Sequence, residues 1–171
     1  MSVRKIMLLS VPALLLLGAA YLGFKIWNTV QAKEKLKATT YYLPSVLLRK
    51  IDGSILRTDS FKNSKELLVL NYFNPECDHC QRMVQEMFRE RALIKNVHWL
   101  MITSYTVEKT KHFADSMNLS QLPNVMVLND TASLFTKTFG TVSVPSFYVY
   151  QKGKLLRKHS GECSIAYLLQ Q

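Results

Sequence analysis

The amino-acid sequence predicts a three-layer α/β/α sandwich joined to an N-terminal transmembrane helix, and three observations carry that reading. Residues 66–73 (ELLVLNYF) and 97–104 (VHWLMITS) are almost continuously apolar, as strands covered on both faces are. Each is followed by a stretch whose apolar residues recur at helical spacing, the alternation that builds a largely parallel sheet with helices on its faces. Ahead of both, residues 6–24 include no charge over 19 positions, close to the ~20 that a helix needs to cross a bilayer.

Taken in order, residues 1–27 read as a membrane anchor or a signal sequence. Arg4 and Lys5 precede the apolar run, and Lys25, Ile26 and Trp27 follow it, a cation and an aromatic suited to the membrane interface. Gly18-Ala19-Ala20 would serve as a cleavage site, but the run continues through Leu22 and Phe24, and no cysteine stands nearby to carry a lipid. Residues 28–42 form a polar juxtamembrane stalk, whose lysines in QAKEKLKATT face either solvent or anionic headgroups. Residues 43–171 form the folded domain. YYLPSVLLRKIDGS predicts an edge strand closing in an Asp52-Gly53 turn. After the strand at 66–73, Met83, Val84, Met87 and Phe88 line one face of a helix, opposite Arg82, Gln85, Glu86 and Arg89. Thr106 is placed to cap a helix over 106–118, with Lys109 following within a turn. NVMVLND is a shorter strand, and TASLFTKTFG a short helix ending at Gly140. SFYVY and KLLRKHS make a hairpin across Lys152-Gly153, and residues 162–170 a last helix.

Charge limits the partners. Residues 1–40 carry six Lys or Arg and one Glu, residues 41–171 sixteen basic and eleven acidic side chains, so each part supplies half of the net +10. The domain's excess forms no basic stripe interleaved with aromatics, and nucleic acid is not expected as a partner. A raw count of flanking cations sets Arg4 and Lys5 against Lys25, Lys33, Lys35 and Lys37, which argues against export. A short basic tail before the first apolar stretch is nevertheless how exported, signal-anchored chains begin. The expectation is a single-pass anchor in the inner (cytoplasmic) membrane, with the lipid bilayer as one partner and the domain facing the periplasm or exterior.

The chemistry concentrates in NYFNPECDHC, residues 71–80. A strand delivers Cys77 to a helix start, and open α/β sheets place their chemistry at such strand ends. Unpaired N–H groups and the helix dipole favour thiolate over thiol there. Cys80, one turn on, is within reach of a mixed disulfide formed at Cys77. A structural zinc site needs a second ligand pair, whereas Cys163, His98, His112 and His159 are scattered. Haem attachment needs His after the second Cys, where Gln81 stands. No metal or cofactor is therefore expected. His79 is placed to favour a Cys77 thiolate and make the disulfide more oxidising, and Asp78 acts against it; a surface histidine without a tuning role is the alternative. Cys163, at the start of the last helix, is expected to be a buried structural thiol, with a regulatory or intermolecular disulfide as the alternative.

With those residues in view, the chain resembles thioredoxin-fold proteins. It is most similar to the membrane-anchored, TlpA-like redoxins of bacterial cell envelopes, grouped with the alkyl hydroperoxide reductase and thiol-specific antioxidant families. The resemblance rests on LPSVLLRKIDG, LLVLNYFNPECDHC and FGTVSVPSFYVYQKGKL. It implies that Pro145, in Val144-Pro145-Ser146, is cis and packs beside the cysteines, leaving the Val144 backbone free to pair with an extended substrate. A strand and short helix within residues 122–139 resemble the insertion these redoxins carry.

Departures from the family pattern matter. Pro75-Glu76 stands where thioredoxins usually have Trp, and Asn71 where many place a buried acid, so Asn71 cannot relay a proton from Cys80. Glu76 is a candidate replacement, although an exposed Glu without that role is the favoured reading. Leu70 and Asn74 stand where peroxidase members need Pro and Thr, so peroxidase activity is not implied. What the resemblance implies is an anchored thiol–disulfide oxidoreductase acting on protein thiols or disulfides of the envelope, with a membrane electron donor or acceptor. Two other readings stay open. One is copper handling through Cys77, Cys80 and His79 or His159, although copper-delivery relatives space their cysteines by three residues. The other is a redox-inactive interaction module on the same scaffold.

Overall fold

Apolar residues that alternate faces along five central strands decide the architecture. In the computed structural model, residues 3–140 and 142–170 are described, with side chains from Leu16 onward. The chain divides into two units, Met1–Ala38 and Thr39–Gln171. The first belongs to helix α1 (Val3–Tyr41), so the stretch read as a stalk is helical as far as Tyr41. Among the described residues no helix is long and apolar enough to cross a membrane. From Leu16 onward α1 carries Lys25, Lys33, Glu34, Lys35 and Lys37, and charges at that density interrupt any long apolar window. The transmembrane expectation rests on residues 6–24, of which 6–15 lie outside the described side chains.

The second unit is built on a seven-stranded mixed sheet of β1 (Leu47–Lys50), β2 (Ile55–Arg57), β3 (Leu67–Tyr72), β4 (Val97–Thr103), β5 (Val125–Asn129), β6 (Ser146–Gln151) and β7 (Lys154–Ser160), ordered β2-β1-β5-β4-β3-β6-β7. Strands β3, β4 and β5 run parallel; β1 is antiparallel to β2 and β5, β6 to β3, and β7 to β6. The helices are α2 (Asp78–Arg89), α3 (Arg91–Ile94), α4 (Val107–Ser116), α5 (Leu134–Phe139) and α6 (Ile165–Leu169). Successive steps from β3 to β4 to β5 go in one direction across the sheet. Right-handed crossovers then put α2 and α4 on one face. There Val69, Phe73, Trp99, Met101, Phe147 and Val149 pack against Met83, Val84 and Met87 of α2, Phe113 of α4, and Ile165 and Leu168 of α6. The intervening residues Leu68, Leu70, Tyr72, Leu100, Ile102 and Tyr148 turn to the other face, where Phe135 and Phe139 of α5 meet Leu43, Val46 and Leu48. The third layer is thus one short helix and the segment entering β1.

Local chemistry fixes the ends. Thr106 accepts from Lys109 N at 3.4 Å to cap α4. The Asp130 carboxylate takes both Leu134 N (2.8 Å) and Phe135 N (2.9 Å) at the start of α5. The β6–β7 turn places Lys152 and Gly153 at positive φ, 48° and 72°, the conformation of a tight hairpin. A Cβ on Gly153 would lie 2.8 Å from Lys62 Cγ and 3.0 Å from its carbonyl, so this turn requires glycine. The edge strand expected within residues 41–54 is instead one place in from the edge: β1 is covered by β2, whose three residues are too short to show a period.

Phe135 is fully buried and stacks on Phe139 and Tyr72 with ring centroids 4.2 and 5.0 Å apart, while Tyr148 meets it edge-on. Phe135→Ala is expected to cost about 3–5 kcal/mol, read as a lower midpoint in urea unfolding of the full chain.

Candidate active site

Strand β3 ends at Tyr72, and Phe73 N still bonds to Ile102 O of β4 at 2.9 Å. The chain then turns tightly. Glu76 N donates to Asn74 Oδ1 (2.7 Å) and Cys77 N to Asn74 O (3.1 Å). Cys77 is the N-cap of α2, with extended backbone (φ −97°, ψ 117°) and no capping bond from its side chain. Its carbonyl accepts from Cys80 N (2.9 Å) and Gln81 N (3.1 Å), and Gln81 Nε2 donates to Pro75 O at 3.1 Å. The helix start is therefore held by backbone and by Gln81, and the Cys77 thiol has no capping duty.

Cys77 is half-buried, whereas Cys80 is 1% exposed and belongs to the core beneath α2. Burial pushes the Cys80 thiol from 9.0 up to about 12, helped by its neighbour Cys77 and opposed by a hydrogen bond from the Asn74 backbone. All three cysteines are free thiols.

Asn71 is buried between Val69 and Phe73 in strand order, on the α2 side of the sheet. Its Nδ2 reaches Ser146 O (3.4 Å) and Tyr72 O (3.5 Å). It ties β3 to the first residue of β6, beside the Val144–Pro145 peptide, which is cis. Pro145 is buried and its carbonyl accepts from Gly161 N at 2.8 Å. Val144 packs against both cores.

Glu76 is exposed and turned towards α4. Its Oε1 accepts from Lys109 Nζ at 2.6 Å and its Oε2 from Tyr105 OH at 3.3 Å. The bond from Lys109 holds its carboxyl below the usual range, so it remains an anion engaged elsewhere and is a poor acceptor for a Cys80 proton. Asp78 and His79 are exposed on the first turn of α2. The His79 ring faces Glu162 and Arg82, and no hydrogen bond from it to a cysteine is present among the described residues.

A groove of about 680 Å³ runs alongside, lined by Pro75, Glu76, Gln81, Lys109, Phe113 and Met117 among others. Cys163 is half-buried rather than buried, and burial pushes its thiol up to about 11. It lines a smaller cleft of about 370 Å³ with Arg82 and Glu162. Lys109, Tyr105 and Glu162 were not singled out by sequence as site residues. Glu162 lies 80 positions from Arg82, a separation that no local pattern reports. Arg82 stands three residues after His79, a helical spacing that does bring side chains together. Among the described residues no group of three or more His, Cys, Asp or Glu is placed to hold a metal ion.

No protein-family model and no curated protein matches this chain. Solved structures do, and they define a thioredoxin-like α/β fold with a mixed sheet. A secreted disulfide oxidoreductase of Mycobacterium tuberculosis, homologous to DsbE of E. coli, superposes with a TM-score of 0.58 at 18% identity, over 70% of this chain and 85% of its own. The dsbF protein of the same organism, in mixed oxidised and reduced forms, gives 0.62 at 18% identity, over 77% and 92%. The exposed lipoprotein thioredoxin Etrx1 of Streptococcus pneumoniae gives 0.54 at 22% identity, over 74% and 96%.

The Cys80 thiol yields a pH prediction. Its folded-state pKa lies above that of the unfolded chain, so folding retains a proton that the unfolded thiol loses near pH 9. Its contribution is complete below that pH and is lost as pH rises towards about 12. Urea unfolding of the reduced chain is expected to show stability falling between pH 9 and pH 11, with a shallower slope in Cys80→Ser.

Proposed function

We propose that the protein is a membrane-anchored thiol–disulfide oxidoreductase that exchanges disulfides with cell-envelope proteins through Cys77 and Cys80. The observation that carries this reading is the asymmetry of the pair: an accessible thiol at the N-cap of α2 with no capping duty, and a buried thiol one turn behind it. The structural neighbours described as disulfide oxidoreductases support it.

Acting as a reductant, the Cys77 thiolate attacks one sulfur of a partner disulfide. A Cys77–partner bond forms, the partner S–S bond breaks, and the leaving thiolate takes up a proton. Cys80 then loses its proton and attacks Cys77 Sγ, closing the Cys77–Cys80 disulfide and releasing the second partner thiolate. Two electrons pass from the dithiol to the partner. The same steps in reverse make the protein an oxidant, and a membrane electron donor or acceptor resets it. Val144, next to Pro145, supplies backbone on which an extended partner segment pairs.

Anchoring is proposed from the uncharged run at 6–24 and from the described part of α1, where Leu16, Leu17, Leu22, Phe24, Ile26 and Trp27 all stand exposed. A helix apolar on all sides suits lipid better than water. The domain is placed on the periplasmic or exterior side, where disulfides persist.

Reduction of insulin by the full chain with a dithiol donor tests the reading. Activity is expected to fall to background in Cys77→Ser, and Cys80→Ser is expected to accumulate a mixed disulfide. Absence of exchange together with stoichiometric copper binding would overturn it. Labelling of Cys77 in intact cells by a membrane-impermeant maleimide is expected for an exported domain, and protection would count against export.

Because neither Asn71 nor Glu76 is disposed to take the Cys80 proton, Asn71→Asp is expected to speed release of the mixed disulfide near neutral pH. The buried carboxyl should also cost about 1–3 kcal/mol of stability; stopped-flow turnover and urea unfolding measure the two effects.

A further inference from the structure

Glu162, on the loop between β7 and α6, faces the first two turns of α2. Its Oε1 accepts from Arg82 Nε at 2.7 Å, lies 2.6 Å from Arg82 Nη2, and meets His79 Nδ1. Arg82 Nη2 is 2.7 Å from the same His79 nitrogen. Nδ1 can donate to the carboxylate or accept from the guanidinium, not both at once, and either bond holds the ring in the same place. His79 and Arg82 are three residues apart on α2, on one face of the helix that begins at Cys77. The proposed exchange chemistry uses neither Arg82 nor Glu162.

We propose that Glu162 is a positioning residue for the dithiol: it holds Arg82 and His79 over the N-terminal turns of α2 and cancels part of the Arg82 charge. Loss of the carboxylate then makes the Cys77 thiolate easier to form, and loss of the guanidinium makes it harder. The proposal deepens the oxidoreductase reading and rests on it, since the thiolate is the attacking species there.

The electrostatics around the cluster agree. Arg82 is held above its ordinary value first by Glu162 and, in lesser part, by Asp78 and Cys77. Glu162 is held below the carboxylate range first by Arg82 and then by His79, so it is an anion. Cys80, raised chiefly by burial, is also disfavoured as thiolate by Glu162. The other charges facing this end of α2 are Asp78, the Glu76–Lys109 pair on the far side, and His159 of β7, whose Nε2 lies 3.4 Å from Glu162 O. Arg157 acts on Cys163 beside Glu162. Arg82 and Glu162 side chains are 51% and 37% exposed, so solvent and salt screen the effect to a few-fold.

The test measures the rate of iodoacetamide alkylation at Cys77 in the reduced full chain, resolved by peptide mass spectrometry at pH 6 and low salt. Glu162→Gln is expected to alkylate about threefold faster than wild type, Arg82→Gln about threefold slower, and the double variant close to wild type. The dithiol–disulfide equilibrium with glutathione should shift in the same order, with Glu162→Gln the more oxidising. A merely structural tie between the loop and α2 would lower the melting temperature of both variants and move both rates the same way. That outcome, or unchanged rates in both folded variants, overturns the proposal. If the rates separate as stated while wild type fails to reduce insulin, the oxidoreductase reading fails and the charge clamp stands. If insulin is reduced and the rates do not separate, the clamp alone fails.

Discussion

The position of β3 governs everything around the dithiol. It is buried on both faces and bonded along both edges, to β4 in parallel and to β6 in antiparallel register. A strand so enclosed cannot slide, because a shift of one residue would exchange Leu68, Leu70 and Tyr72 with Val69, Asn71 and Phe73 between two differently shaped cores. The chain therefore leaves the sheet at one fixed point. The Asn74–Cys77 turn and the N-cap of α2 follow within a few residues, and the Cys77 sulfur inherits its place from packing far larger than itself.

Two acid–cation groups flank that point. Towards α4, Glu76 is engaged by Lys109 and Tyr105; towards α6, Glu162 is engaged by Arg82 and His79. Each carboxylate is held in its ionised form, and neither is free to receive the proton of a thiol as reluctant to ionise as Cys80. Asn71, buried on the α2 side of the sheet, offers an amide that donates to backbone carbonyls. In the proposed exchange, proton movement is then left to water and to the partner's own sulfurs.

Much of this was legible in the sequence, for physical reasons. Residues 66–73 and 97–104 advertise buried strands because both faces are apolar, and α2 because Met83, Val84 and Met87 share a stripe. Thr106 and Lys152-Gly153 announce a cap and a hairpin by local chemistry. The same logic explains what was hidden. Strand β2 has only three residues, with no period to read, so its neighbour β1 passed for an edge. Glu162 meets α2 only after the whole sheet has folded. Glu76 was visible as an odd residue before Cys77, but its partner Lys109 sits 33 positions away, and Cys163, expected to be buried, is covered only in part.

The sheet also partitions the molecule into two sides with separate duties. Phe135, Phe139, Tyr148 and Tyr72 form an aromatic stack on the face away from α2, with the sheet between them and the sulfurs. Inherited changes in that stack would alter how long each copy of the protein survives while leaving its chemical temperament alone. If the proposed charge clamp operates, changes at Arg82 or Glu162 would do the reverse. Longevity and reactivity can in this way drift independently within a single chain.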